Sequence, residues 1–290
     1  MIGWNLFPLF AVPSVLLWIL GAGFAWRSKK VPARLLTVLA TGLMVLLAIF
    51  AMLPFAFMFL SSLKPGQEML RKGLSLTFEP GISSFKNYAA LNTYREGIYW
   101  QWYKSSAVIM LIQTVIGLFF GSLVGYGLAM YDFKGKNLVF TIVLVVMMIP
   151  FEILLLPLYR MLIRTHLTDT YIGVVMPYLV PPFMVFFFRQ YVLGLPKELL
   201  EAGRIDGCTD YGVFFRIMVP IMIPAFGAMT ILSCMNSWNN LLWPLIVLST
   251  NEKFTIPIGM GTTITPYGNA FDVLMPGAVV ESGAEVRFAI

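Results

Sequence analysis

Long runs without a charged residue constrain this chain more than any other feature. Residues 5–26, 35–63 and 105–131 contain no Asp, Glu, Lys or Arg, and residues 137–159 contain only Glu152. An α-helix needs roughly 20 apolar residues to cross the hydrocarbon core of a bilayer. Only 12% of the residues are charged and the mean hydropathy is +0.81, whereas soluble domains usually carry about 25% charged residues. The sequence therefore predicts an all-α, polytopic membrane protein.

The apolar runs predict about six transmembrane helices. One further run, at 170–188, is shorter and contains three prolines, and another, at 217–251, is longer than a straight span requires. The predicted helices are at about 5–26, 35–60, 105–130, 138–160, 171–189 and 221–247.

A basic segment after the first predicted helix sets the orientation of the chain. Residues 27–34, RSKKVPAR, carry four positive charges and no negative charge, and such segments stay in the cytoplasm. The N-terminus is therefore predicted outside. Counting forward, the 61–104 and 160–170 segments lie outside, and the 131–137 and 190–220 segments lie inside.

One cytoplasmic segment is unusually polar. Seven of the twenty residues from Lys197 to Arg216 are charged. Pro196 suits the first turn of a helix and Gly207 suits its left-handed end. Glu201 and Arg204 are three residues apart and are expected to pair. Such a helix fits either a groove on a cytoplasmic partner or the lipid headgroups.

The residues of this segment also carry a resemblance. Glu201-Ala202-Gly203, then Gly207, then Ile217 and Val219-Pro220 follow the Glu-Ala-Ala…Gly…Ile-x-Leu-Pro pattern of bacterial ABC importer permeases, with Gly for the second Ala and Val for Leu. Further matches are RQYVLGLPKELLEAGRIDG (189–207) and SWNNLLWPLIVL (237–248). Over about residues 45–280 the chain resembles the carbohydrate branch of that family, the relatives of the second maltose-permease subunit.

The resemblance implies an ABC type I importer permease fold and a set of partners. Glu201, Ala202, Gly203, Asp206 and Gly207 would form a coupling helix that sits on an ATPase subunit. The implied partners are a second permease subunit, two ABC ATPase subunits, an extracellular or periplasmic solute-binding protein, membrane lipid and a sugar or oligosaccharide substrate. ATP and Mg would bind only to the ATPase subunits. The implied location is the bacterial inner or plasma membrane.

The two ends of the chain depart from the family. Residues 1–34 carry an additional helix and the basic turn, residues 35–280 correspond to the importer transmembrane domain, and residues 281–290 read as an atypical tail. Family members continue after Val280 into a last hydrophobic helix, whereas this tail contains Glu281, Glu285 and Arg287. Charged side chains are costly among lipid, so the last family helix is expected to be missing. A truncated, non-functional permease is therefore one alternative.

Polar residues inside the predicted spans are candidates for a translocation path. Glu152 is an ionisable residue in an apolar span, which by default marks a functional site. Asn236, Trp238 and Asn239 form a polar group near one end of the last predicted helix. Each has a second interpretation, since Glu152 could pair with another helix and Trp238 could belong to an interfacial aromatic belt. The glycines at 117, 121 and 125 favour close helix packing.

Other chemistry finds little support in the sequence. There is no phosphate-binding GxxxxGK[ST] motif. The single histidine and the two separated cysteines predict neither a metal site nor a disulfide. The net charge of +6 is spread over the loops and does not form the basic patch that nucleic-acid binding requires. No bound cofactor is expected. Two alternatives are an ABC importer of a non-sugar solute and a proton-driven transporter, although a proton relay needs more intramembrane ionisable residues than Glu152.

Overall fold

The computed structural model describes residues 33–72, 84–265 and 268–289. The chain divides into two compact units, Met1–Phe57 and Met58–Ile290. The helix predicted at 5–26 lies outside the described residues.

The first described helix, α1 (Ala33–Ser62), confirms the helix predicted at 35–60. Its segment Ala40–Ser62 is long and apolar enough to cross a membrane. Met44, Leu46 and Met52 are each more than 60% exposed. Such a run of exposed apolar side chains suits contact with lipid and not with water.

The remaining elements are almost all helical. A two-stranded antiparallel hairpin pairs Ile264 with Asn269 and Thr265 with Gly268. In chain order the elements are α2 (Gly66–Lys72), α3 (Lys86–Thr93), α4 (Ile98–Met130), α5 (Lys136–Met147), α6 (Phe151–Arg164), α7 (Tyr171–Val175), α8 (Pro182–Leu193), α9 (Glu198–Ile205), α10 (Asp210–Val213), α11 (Val219–Ile221), α12 (Ile223–Trp238), α13 (Leu242–Val247), α14 (Ile256–Thr262), β1 (Ile264–Thr265), β2 (Gly268–Asn269) and α15 (Phe271–Ala289).

Helix α4 is the longest element, and it begins earlier than predicted. The charge-free run starts after Lys104, but α4 starts at Ile98. Tyr99 and Trp102 are completely buried, so tertiary packing extends the helix beyond the apolar run. Together with α3 it forms the second continuous segment, Lys86–Met130, that is long and apolar enough to span a membrane.

Two of the predicted spans are bent pairs of helices, with the bends at their prolines. The segment predicted at 138–160 consists of α5 and α6, which meet at 101° around Pro150, and the segment predicted at 171–189 bends by 42° before Pro182. Proline has no N–H to donate and its ring clashes with the preceding turn, so each of these helices ends and a new one starts.

The segment predicted as one helix at 221–247 is also broken. Helix α12 ends at Trp238 and α13 begins at Leu242. A 77° bend at Met222 separates α12 from the segment Asp210–Ile221. By length and composition, the described part of the chain contains two membrane-spanning helices, or up to five if each bent pair is one span.

The C-terminal segment is helical, contrary to the tail predicted from 281. Helix α15 continues past Glu281 to Ala289. It packs on α3 and α12, Val273 and Ala284 are buried, and the Tyr99 hydroxyl donates a hydrogen bond of 3.0 Å to the Gly277 carbonyl. The sequence argument assumed that a helix through Glu281 would be surrounded by lipid, where charged side chains are costly. The contacts with α3 and α12 instead bury part of α15 in protein.

The glycine face of α4 packs on α8 within this subunit. A Cβ atom on Gly121 would lie 2.7 Å from the Met184 Cβ, and one on Gly125 would lie 2.7 Å from the Phe188 Cβ and 2.9 Å from the Arg189 backbone nitrogen. These distances are too short for any side chain. The glycines therefore permit the close approach of the two helices.

We expect Gly125→Ala to destabilise the protein by about 1–3 kcal/mol, because the added methyl group would push α4 away from α8. Gly127→Ala is the matched control, since nothing lies within 4 Å of a Cβ at that position. The thermal unfolding midpoint of the detergent-purified protein measures the effect. Equal midpoints for the two variants would contradict this packing argument.

Candidate coupling helix and translocation cavity

Helix α9 occupies the polar segment that was predicted to be cytoplasmic, and its small apolar side packs against the rest of the protein. It buries Leu200 and Gly203. A Cβ atom on Gly203 would lie 2.7 Å from the Ile217 Cδ1 and 2.9 Å from the Val213 Cγ2. The close contact explains why glycine replaces the second alanine of the resembled pattern.

Gly207 ends α9 as predicted. Its φ is +80°, in the left-handed region that glycine adopts without strain. The Gly207 N–H donates to the Arg204 carbonyl at 3.1 Å and the Cys208 N–H donates to the Gly203 carbonyl at 2.9 Å. This pair of hydrogen bonds is the Schellman motif, which satisfies carbonyl groups at a helix end.

The ion pair on α9 is not the predicted one. Arg204 donates from Nη2 to the Asp210 Oδ1 at 3.0 Å and from Nε to the same oxygen at 3.1 Å. Hydrogen bonding and charge from Asp210 raise the pKa of Arg204 above its usual value. The predicted Glu201–Arg204 pair was wrong, because the chain turns at Gly207 and brings Asp210 back to the guanidinium.

The outer side of α9 is open. Glu201, Ala202, Asp206 and Gly207 are all exposed, and the Ile205 side chain is 86% exposed. This side chain is therefore accessible for contact with another protein. The predicted coupling residues therefore fall into two groups. Gly203 is buried where α9 packs on the protein, and the other four are exposed and accessible to a partner.

An apolar cluster connects α9 to the membrane helices. Val213, Phe214, Met218 and Met222 are buried at 0–2% exposure, in one cluster with Leu200 and with side chains of α4, α8 and α12. Residues Phe214–Met218 form a π-helical turn, a feature common at functional sites. Packed side chains thus connect the support of α9 to several helices.

A cavity of about 530 Å³ opens between the broken helices. Three of the four residues predicted for a translocation path, Glu152, Asn236 and Asn239, line it together. The bend at Pro150 places Glu152 in the first turn of α6. The other lining residues are Gln113, Phe151, Tyr178, Pro181, Phe183, Met184, Met229, Leu232, Ser233, Asn240, Leu241 and Leu242.

Trp238, the fourth predicted residue, lies elsewhere. It is 1% exposed and its ring meets Tyr103 edge-on at a centroid distance of 5.2 Å. It belongs to the apolar cluster that contains Tyr99 and Trp102. Trp238 is therefore not part of the cavity lining, because its ring is buried in this cluster.

Sequence reasoning missed several polar residues of the cavity. Ser233 and Asn240 lie three residues before and four residues after the predicted Asn236, a helical spacing that indicates one polar face. This signal was available in the sequence. Gln113 and Tyr178 come from distant segments, and only the tertiary structure brings them to the cavity.

A second missed feature is a polar clamp on the predicted outer side. The Asp169 carboxylate accepts hydrogen bonds from the Lys253 Nζ at 2.8 Å, from the Thr250 hydroxyl at 2.5 Å, and from the N–H groups of Ser249 and Thr250 at 2.9 and 3.0 Å. Partial burial alone would raise the pKa of Asp169, but these hydrogen bonds outweigh it and lower the pKa below its usual value.

Within the described residues no cluster of His, Cys, Asp and Glu side chains is arranged to hold a metal ion. Apolar helices around a cavity that carries several polar side chains, with an exposed charged helix packed against them, define a polytopic membrane transport subunit.

Comparisons with known proteins identify its family. Residues 117–280, more than half of the chain, match the family described as "Binding-protein-dependent transport system inner membrane component". The chain is 52% identical over 236 residues to the "Arabinooligosaccharides transport system permease protein AraQ" of Bacillus subtilis (strain 168), covering 81% of this chain and 83% of that protein. It is 30% identical over 249 residues to the "Lactose transport system permease protein LacG" of Rhizobium radiobacter, covering 85% and 88%.

A solved structure shares the fold. The "Crystal structure of a bacterial ABC transporter involved in the import of the acidic polysaccharide alginate" superposes with a TM-score of 0.75 over 90% of this chain and 95% of that chain, at 18% identity.

The chain therefore belongs to the family of binding-protein-dependent transport system inner membrane components. It is the membrane permease component of such an importer and not the ATP-hydrolysing subunit. The family match confirms the resemblance and the membrane location that were inferred from the sequence.

We expect Asp169→Asn to lower the thermal unfolding midpoint at pH 7, because the neutral amide makes weaker hydrogen bonds to Lys253. The lowered pKa means that the carboxylate stabilises the fold above its unfolded pKa of about 4. That stability is lost as the pH falls toward the folded pKa. The difference from the wild type should therefore be constant above about pH 5 and shrink below about pH 4.

The control for this measurement is Asp132→Asn. Asp132 pairs with Lys136 but its side chain is 80% exposed, so the effect on the midpoint should be smaller. A difference for Asp169→Asn that persists unchanged below about pH 4 would contradict a role for its charge.

Proposed function

We propose that this chain is a permease subunit of an ATP-driven importer of a sugar or oligosaccharide. The observation that carries the substrate class is the 52% identity to a permease whose name specifies arabinooligosaccharides, together with the match to a lactose permease. The amide and hydroxyl side chains among the otherwise mostly apolar lining residues support it, because amides and hydroxyls are suitable hydrogen-bonding partners for sugar hydroxyls.

The proposed assembly contains a second permease subunit, two ABC ATPase subunits and an extracellular or periplasmic solute-binding protein. ATP and Mg bind to the ATPase subunits. Residues 1–34 form an additional N-terminal transmembrane helix and a basic cytoplasmic turn, residues 35–280 form the type I importer transmembrane domain, and residues 281–290 form an atypical C-terminal tail, which is helical to Ala289. The exposed cavity lining is completed by the second permease subunit.

In the proposed mechanism, closure of the ATPase dimer moves α9. Its exposed residues, Glu201, Ala202, Asp206 and Gly207, contact the ATPase, and Gly203 anchors the helix on Val213 and Ile217. The apolar cluster beneath α9 carries the movement to α4, α8 and α12. Because Met184 and Met229 belong both to this cluster and to the cavity lining, the cavity changes shape when α9 moves. Such coupled rearrangement is the basis of alternating access.

We expect Ile205→Asp to weaken capture of the ATPase subunit by the detergent-purified permease complex by roughly a hundredfold or more, because an uncompensated charge buried in the interface costs about 3–5 kcal/mol. Ile264→Asp is the control, since Ile264 is also an exposed isoleucine, at 58%, but lies in the β1 strand. Capture is measured as the ratio of ATPase to permease after co-purification. An unchanged ratio for Ile205→Asp would remove α9 from the interface.

The substrate class is tested by import into proteoliposomes that contain the complete transporter and its binding protein. We expect ATP-dependent uptake of radiolabelled arabinotriose that unlabelled arabinotriose inhibits and that amino acids and phosphate do not. Uptake of an amino acid or phosphate, with no uptake of arabinotriose, would favour the non-sugar importer.

A further inference from the structure

We infer that the cavity lined by Glu152 binds the substrate directly and selects uncharged sugars over anionic ones. This inference rests on the proposed function and adds a specificity-determining residue to it. The fold does not decide the charge of the substrate, since the structurally similar alginate transporter imports an acidic polysaccharide.

The charge of the lining is the first observation. Among the described residues that line the cavity, Glu152 is the only Asp or Glu, and none is Lys, Arg or His. Within the described part of the chain its carboxylate makes no ion pair and no hydrogen bond. A second negative charge entering this cavity would meet a carboxylate and no cation.

The hydrogen-bonding groups of the lining are the second observation. The Asn239 Nδ2 donates to the Met235 carbonyl and the Asn240 Nδ2 donates to the Tyr178 hydroxyl, each at 3.1 Å. Each amide thus uses one of its two N–H groups within the protein and keeps its carbonyl oxygen as an acceptor. With the Glu152 carboxylate, these two carbonyl oxygens provide acceptors at one side of the cavity.

Acceptors suit hydroxyl groups, which donate, and do not suit carboxylates or phosphates, which only accept. A hydrogen bond to a charged carboxylate is also stronger than one between neutral groups. Phe151 and Tyr178 add two aromatic rings to the lining, 5.3 Å apart and tilted by 30°. Their faces are apolar surfaces on which the C–H face of a sugar ring can pack.

Glu152 also has a structural explanation, which the experiment must separate from binding. It lies in the first turn of α6, where a negative charge interacts favourably with the helix dipole. That role depends on the charge of Glu152 but not on the charge of the solute. A change in discrimination between neutral and anionic solutes therefore reports substrate contact and not helix stability.

The test uses Asn239→Cys in the complete transporter, with the native Cys208 replaced by serine because it is partly exposed. The transporter is held in proteoliposomes with ATP and vanadate, without binding protein, and the rate of maleimide labelling at position 239 is measured. We expect arabinotriose to slow labelling at least tenfold at a concentration where trigalacturonate, of equal length but anionic, has little effect. We expect Glu152→Gln to reduce this preference about tenfold or more, and Glu96→Gln, at an exposed glutamate in the loop before α4, to leave it unchanged.

The outcomes separate this inference from the proposed function. Equal protection by the two trisaccharides, no protection by either, or a preference unaffected by Glu152→Gln would overturn the inference. If the same preparation still imports arabinotriose with its binding protein, the proposed function stands. An assembled transporter that imports no sugar would overturn both.

Discussion

The close approach of α4 and α8 is the interaction on which the rest of this structure depends. Gly121 and Gly125 remove the side chains that would keep the helices apart, and Met184 and Phe188 occupy the space. Met184 also lines the cavity, and Phe188 is part of the apolar cluster beneath α9. One helix pair thus positions both the candidate translocation cavity and the support of the coupling helix. In a membrane, where lipid competes equally for apolar side chains, such packing rather than hydrophobicity holds helices together.

Breaks in the helices place several polar residues at the cavity. In a continuous helix the backbone N–H and C=O groups hydrogen-bond to one another, so only side chains are presented to the interior. A break leaves some of these backbone groups unpaired, which is tolerated within a membrane where the break lines a polar space. The bend at Pro150 turns α6 so that Glu152 is in its first turn, and the break after Trp238 places Asn239 and Asn240 between two helices. The positions of these polar residues therefore follow from the same backbone breaks that make the spans irregular.

Several local features could be predicted because their causes lie within a few residues. Gly207 terminates α9 in the left-handed conformation that its sequence context indicated, and α1 follows the charge-free run. Predictions that required knowledge of contacts were less successful. Arg204 pairs with Asp210 and not with Glu201, and α15 extends through a segment expected to be a tail. Asp210, beyond the end of α9, pairs with Arg204, and α3 and α12, far away in the chain, pack against α15. Local residue spacing did not reveal these contacts.

The sequence by itself determined that the chain is a membrane protein, that a charged helix interrupts its apolar segments, and which family it resembles, because composition, charge-free length and a short motif are properties of contiguous residues. Only the tertiary structure decided which polar residues share a cavity. It placed Glu152, Asn236 and Asn239 together and buried Trp238 in the core. The physical reason is that the direction of a side chain depends on where each helix bends and on which face packs against a neighbour, and both depend on contacts between segments far apart in the chain.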